Sequence, residues 1–244
     1  MDLPKSPYWD PTTYPSLSDE ETGYIRQIYT FTEQYFQDPR FDASHDFAHV
    51  KRVVTNALTI LKKVEDQRKR QALPALNPLS VILGALLHDV EDKKYVTVSA
   101  EQQAGSLRKA VTQVGLSESY AEHIQLLVDG VSYSSEVKNP ERVEKLIELI
   151  PELAVVQDAD RLDAIGAIGI GRCFTFGGAK GARSLSDSIQ HFDDKLLKLE
   201  GMMKTDAGRA MARERSSRIR DFMGWWKDEV EVADQEVRQL DFES

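Results

Sequence analysis

A chain of 244 residues, 41% hydrophobic and 29% charged, has the length and composition of one large globular domain with a substantial core. Its net charge of -9, from 31 Lys and Arg against 40 Asp and Glu, argues against partners that need a cationic surface, nucleic acid foremost. Cys173 has no second cysteine to pair with, and no apolar run approaches the ~18 residues of a membrane span. The first residues lack the basic-then-apolar order of a secretory signal, so the expectation is a cytoplasmic protein without membrane attachment.

Residues 1–17 carry Pro4, Pro7, Pro11 and Pro15 and are expected to form an extended arm, with Tyr8, Trp9 and Tyr14 laid against the domain. Ser18-Asp19-Glu20-Glu21 is a capping box that opens a helix through Gln37. Next comes a helix over about residues 46–71, where Val50, Val53, Val54, Ala57, Leu58, Leu61 and Val64 recur at helical spacing. His49 lies one turn ahead of Val53 on the side of that stripe, and His45 a turn earlier again. Asn77 and Pro78 begin a third helix, whose apolar run from Leu79 ends in Gly84-Ala85-Leu86-Leu87-His88-Asp89.

Ser99, Ser117 and Asn139-Pro140 open helices to about Val114, Val128 and Ile150, with Ser132–Ser135 as a polar loop. His123 reads as a packing or surface histidine. From Leu153 to Phe176, the apolar positions Val155, Val156, Ala159, Leu162 and Ile165 are interrupted by Asp158, Asp160 and Asp163. Gly166, Gly169 and Gly171 each disfavour a helix by roughly 1 kcal/mol relative to Ala, which points to close approach of a neighbouring helix. No strand precedes them and the G-x-G-x-x-G spacing is absent, so a dinucleotide fingerprint is rejected. Gly177, Gly178 and Gly181 read as a loop and Leu185–Met203 as a helix. A last helix, capped by Thr205 or Asp206, runs to about Val232, with an arginine-rich early face and Trp225 and Trp226 packed on the body. Residues 234–244 form an acidic tail. The expected architecture is all-α, about nine helices in one domain over residues 18–233.

An apolar helix aimed into a core seldom ends in an adjacent imidazole and carboxylate, because burying either one unpaired is costly. A divalent metal resolves this by accepting a neutral imidazole nitrogen and a carboxylate oxygen together. The plainer alternative is that His88 closes the helix and Asp89 begins a turn. Further donors are available in His49 and in Asp158-Ala159-Asp160. The last two aspartates point roughly 200° apart on a helix, so only one of them reaches a given metal.

The order His49, His88-Asp89, Asp160 in an all-helical chain resembles the HD-domain metal-dependent phosphohydrolases. Ser44-His45-Asp46-Phe47-Ala48-His49, Leu86-Leu87-His88-Asp89-Val90 and Gln157-Asp158-Ala159-Asp160-Arg161-Leu162-Asp163-Ala164 look like the YedJ/YpgQ-type branch, over about residues 20–220. The resemblance implies a single HD-domain helical bundle, with His49, His88, Asp89 and Asp160 as metal ligands. Asp160 is preferred because it stands in Ala-Asp-Arg-Leu, as the family's last ligand does; Asp163 is a candidate for the second shell. Two imidazoles and two carboxylates suit one Mn²⁺, Mg²⁺, Co²⁺ or Fe²⁺ ion better than structural Zn²⁺. Asp92 is expected to handle the proton of the attacking water, with Glu91 as the alternative and Lys94 beside them. His45, Arg52, Arg161 and Lys195 are charge partners for phosphate.

The implied activity is hydrolysis of nucleoside triphosphates to monophosphate and pyrophosphate. A 5′-nucleotidase or a non-catalytic metal- or nucleotide-binding module is the alternative. The expected partner is a small phosphorylated substrate, a nucleotide, with a homodimer as the assembly considered. One departure stands out: Val131 occupies a position where several chains of this branch carry histidine.

Overall fold

In the computed structural model, residues 8–39, 41, 46–91, 105–179 and 183–242 are described. Eleven α-helices and two 3-10 helices make up their regular structure, with no strand among them. The first three helices are α1 (Asp19–Tyr35), α2 (Phe47–Arg70) and α3 (Pro78–Leu87). After them come α4 (Ser106–Gln113), α5 (Glu118–Val131), α6 (Tyr133–Lys138), α7 (Pro140–Leu149) and α8 (Glu152–Asp163). The chain closes with α9 (Gly166–Ala179), α10 (Leu185–Asp194), a 3-10 helix over Leu196–Met202, and α11 (Asp206–Phe242).

Local chemistry sets the boundaries that matter. Ser18 and Glu21 close the expected reciprocal box at the start of α1. At the start of α2 the Asp46 carboxylate accepts the His49 backbone N–H at 3.0 Å, which fixes the first turn where His49 sits. Asn77 caps α3, Pro78 occupies its first turn, and every residue from Leu79 to Leu87 is buried. Helices α2, α3 and α8 pack on one another, so the ends of α2 and α3 meet the middle of α8. Residues 8–17 lie along α2. The Trp9 N–H donates to Thr55 Oγ1, and the Tyr14 hydroxyl to Glu65 at 2.6 Å. A 3-10 turn over Pro11–Thr13 replaces part of the extended course expected there.

Several element expectations are corrected. Ser132 caps α6, so Tyr133–Ser135 is helical rather than loop. Helix α9 continues through Gly177 and Gly178. The stretch 185–203 divides into α10 and a 3-10 helix at Lys195. Gly166 takes φ +75 and breaks the chain between α8 and α9, a conformation that favours glycine. A Cβ on Gly169 would lie 2.2 Å from the Ala164 carbonyl oxygen, so what excludes it is the chain's own turn, not another helix. Helix α11 runs on to Phe242, past the break expected near Val232. Trp226 stacks near Phe174, whereas Trp225 is 65% exposed.

Candidate metal centre

Four side chains from three helices converge. His49 Nε2 (α2) and His88 Nε2 (at the end of α3) are 3.1 Å apart. Asp89 Oδ2 lies 3.3 Å from the first and 3.4 Å from the second. Asp160 Oδ1 (α8) lies 3.5 and 3.7 Å from the same two atoms. His49, His88 and Asp160 satisfy the geometry of a group able to hold a metal ion. Both histidines are buried, while the carboxylates are 17% and 29% exposed, so the cluster opens to solvent on its carboxylate side.

The donor set fits a cation. His88 Nδ1 lies 2.8 Å from the Ala85 carbonyl oxygen, and His49 Nδ1 lies 2.7 Å from Asp163 Oδ2. Carbonyl and ionised carboxylate oxygens only accept, so each Nδ1 carries its ring's proton and each neutral ring turns a lone pair at Nε2 inward. Two such nitrogens and two carboxylates facing one another at these separations repel unless a cation or a proton stands among them. Ligand atoms about 2.1 Å from one ion lie roughly 3.0–3.4 Å apart, close to what is observed here.

Without a metal, protons take that place. Burial pulls the His88 imidazolium down, but Asp89, Asp160 and the Ala85 carbonyl outweigh it and push its pKa up to about 9. Burial raises the Asp89 carboxyl, and the two histidines reverse this and hold it well below the usual carboxylate range. A metal bound here would therefore displace a proton from the cluster.

The other expected residues scatter. Arg52 reaches Asp163, with Nε 2.7 Å from Oδ1 and Nη2 3.0 Å from Oδ2. The Arg161 guanidinium turns away to Glu136 and to the Met202 carbonyl. Lys195 lies 4.6 Å over the Tyr133 ring. Glu91, at φ +70, donates its backbone N–H to the Tyr35 hydroxyl oxygen, and its carboxylate accepts from Ser106 Oγ and the Leu107 N–H, capping α4. His45, Asp92 and Lys94 lie outside the described residues, as does the helix start expected at Ser99. Asp158 is buried and accepts from the Lys204 and Thr205 N–H groups and from Thr205 Oγ1, holding the start of α11 rather than joining the cluster. His123 stands apart, beside Ser80 and Tyr120.

Sequence reasoning missed the groups that brace this arrangement. Arg172 on α9 donates to Asp163 at 3.0 Å. Asn56 donates to the Ala159 carbonyl, and its own oxygen accepts from Arg215, which also holds the Leu162 carbonyl. Each pair is joined only in three dimensions; the sole early signal was a polar Asn in the apolar stripe of α2.

No model of a known protein family matches the chain. It is 30% identical over 221 residues to the uncharacterized protein YpgQ of Bacillus subtilis (strain 168), covering 89% of this chain and 99% of YpgQ. The crystal structure of Bacillus subtilis YpgQ in complex with ADP matches with a TM-score of 0.64 at 27% identity, over 86% of this chain and 96% of that one. An HD-superfamily hydrolase from Bacillus thuringiensis matches with a TM-score of 0.58 at 28% identity, over 86% of this chain and 98% of that one.

Proposed function

This chain belongs to the YpgQ-like branch of the HD-superfamily hydrolases, and we propose that it is a metal-dependent phosphohydrolase cleaving nucleoside triphosphates to monophosphate and pyrophosphate. The observation that carries the reading is the grouping of His49, His88 and Asp160 within reach of one ion, with Asp89 beside both histidines and both Nε2 atoms turned inward. These four residues would hold one Mn²⁺, Mg²⁺, Co²⁺ or Fe²⁺ ion. Bound there, the ion supplies Lewis acidity toward phosphate and water.

The chain's own residues divide the remaining work. Asp89 and Asp160 form the exposed edge of the cluster, and a phosphate arrives on that side. Water adds to the α-phosphorus, the bond from that phosphorus to the bridging oxygen breaks, and pyrophosphate leaves. Glu91 is committed to capping α4, so Asp92 is the residue proposed to accept the water's proton. Lys94, His45 and Lys195 are the proposed cationic partners of the phosphates; Arg52 and Arg161 already have carboxylates of their own. The ADP complex of YpgQ supports a nucleoside phosphate as the ligand class.

The test is a panel of nucleoside tri-, di- and monophosphates with Mn²⁺ or Mg²⁺, separating orthophosphate from pyrophosphate. Pyrophosphate released from triphosphates supports the proposal. Orthophosphate released only from monophosphates makes the protein a 5′-nucleotidase, and metal binding with no turnover makes it a binding module.

A further inference from the structure

We infer that Asp163, clamped by Arg52 and Arg172, is a positioning residue that makes His49 the stronger of the two nitrogen ligands. The inference rests on the reading above, in which both histidines present Nε2 to a cation. Asp163 ends α8 and is 1% exposed. Its Oδ1 accepts from Arg52 Nε at 2.7 Å. Its Oδ2 accepts from His49 Nδ1 at 2.7 Å, Arg52 Nη2 at 3.0 Å and Arg172 Nη1 at 3.0 Å.

Four donors from two helices hold the carboxylate, three of them on the oxygen that faces His49, so Asp163 is committed to His49 and the two guanidiniums. The bidentate Arg52 contact fixes the carboxylate plane, and that plane fixes the imidazole. Three elements are tied together in this way: α2 through His49 and Arg52, α8 through Asp163, and α9 through Arg172.

His88 is held differently. Its Nδ1 donates to the neutral Ala85 carbonyl of its own helix. Both contacts select the same tautomer, but only the charged acceptor on His49 withdraws the Nδ1 proton strongly and enriches Nε2 as a donor. The pair is therefore asymmetric. His49 anchors the cation, and His88 completes its surroundings.

The experiment titrates Mn²⁺ alone into the full chain freed of metal by chelation, comparing wild type, Asp163→Asn and Asp158→Asn. Asp163→Asn should weaken Mn²⁺ binding by about 10–100-fold, the range expected when a ligand loses its outer partner. Asp158→Asn, which disturbs an equally buried carboxylate on the same helix, should lower Tm and leave affinity within about two-fold. Should Asp163→Asn fail to fold, ¹⁵N-histidine NMR of the Mg²⁺-loaded wild type gives the answer. Support is a His49 Nδ1 proton resonating well downfield of the His88 Nδ1 proton; coincident protons, or a His49 protonated at Nε2, overturn the inference. Wild type that binds no Mn²⁺ overturns both this and the proposed function. Wild type that binds while Asp163→Asn binds equally well overturns this inference alone.

Discussion

Helix α8 feeds two buried polar clusters from consecutive residues, and they are built on opposite plans. Asp160 joins His49, His88 and Asp89, where donors of like kind face one another. Arg161 joins Glu136 and Lys204, where each cation meets the same carboxylate: Arg161 on Oε2 and Lys204 Nζ on Oε1 at 2.5 Å. In the second, cation and carboxylate are already matched, though Arg161 Nε is buried with no hydrogen-bond partner among the described residues. In the first, two imidazoles meet two carboxylates, the mixed donor set that a divalent cation takes. Charge and burial are common to both, so what marks a binding site here is the kind of groups that meet, not the presence of ionisable groups.

Emptying the His–Asp cluster of one donor has the largest expected effect. His88→Ala should weaken Mn²⁺ binding by more than the roughly 10–100-fold that loss of an outer partner causes, and should abolish turnover. Metal titration and the nucleotide assay measure this together. Retained affinity and rate would show that the convergence is structural after all.

Breaking the ion-pair cluster should do the reverse. Glu136→Leu leaves Arg161 buried without its ion-pair partner, so unfolding free energy should fall by about 3–5 kcal/mol. Denaturant titration measures the loss at saturating Mn²⁺, and the folded variant should bind metal as wild type does. A lost affinity with unchanged stability would erase the distinction drawn between the clusters.

The two clusters also differ in how far the sequence announces them. His49, His88-Asp89 and Asp160 are legible because the chemistry demands particular residue types at helix positions, and helix α3 is apolar up to the point where they begin. The all-helical class is legible for a similar reason: periodicity and caps at Ser18, Asp46, Asn77, Ser117 and Asn139 are local. Glu136 and Lys204 carry no such local mark, since their partner Arg161 is brought to them by packing. The same holds for Arg52, whose position one turn after His49 suits phosphate binding until Asp163 is seen beside it. Glu91 stands beside the HD pair as a catalytic candidate would, and nothing local reveals that its carboxylate accepts from Ser106, 15 residues on.

A pH series sharpens the comparison further, because only the His–Asp cluster would exchange a proton for a metal. In metal-free protein the raised His88 pKa contributes stability that is full below its ordinary value near 6.5 and is lost as pH rises through about 9. Asp163 has the opposite sign. Burial raises it, but His49 and Arg52 hold it well below the usual carboxylate range, so its contribution is present above about pH 4 and is lost as pH falls below that. Thermal unfolding in chelator should therefore decline between about pH 6.5 and 9, and saturating Mn²⁺ should flatten that limb. A metal-free protein equally stable at both ends would show that no proton substitutes for the ion.

The smallest expected effect tests whether any partly buried histidine would serve. His123 sits on α5, its ring 5.8 Å from that of Tyr120 and its Nε2 3.4 Å from Ser80 Oγ. That contact is long, and Ser80 Oγ has a better partner in the Tyr120 hydroxyl at 2.9 Å. Replacing His123 by Ala thus removes ring packing and a marginal hydrogen bond, a change of about 1 kcal/mol or less. Mn²⁺ affinity and turnover should match wild type. If His123→Ala lost activity while His88→Ala kept it, the catalytic histidine would lie at the polar hollow beside Ser80, and α3 would have been read from the wrong end.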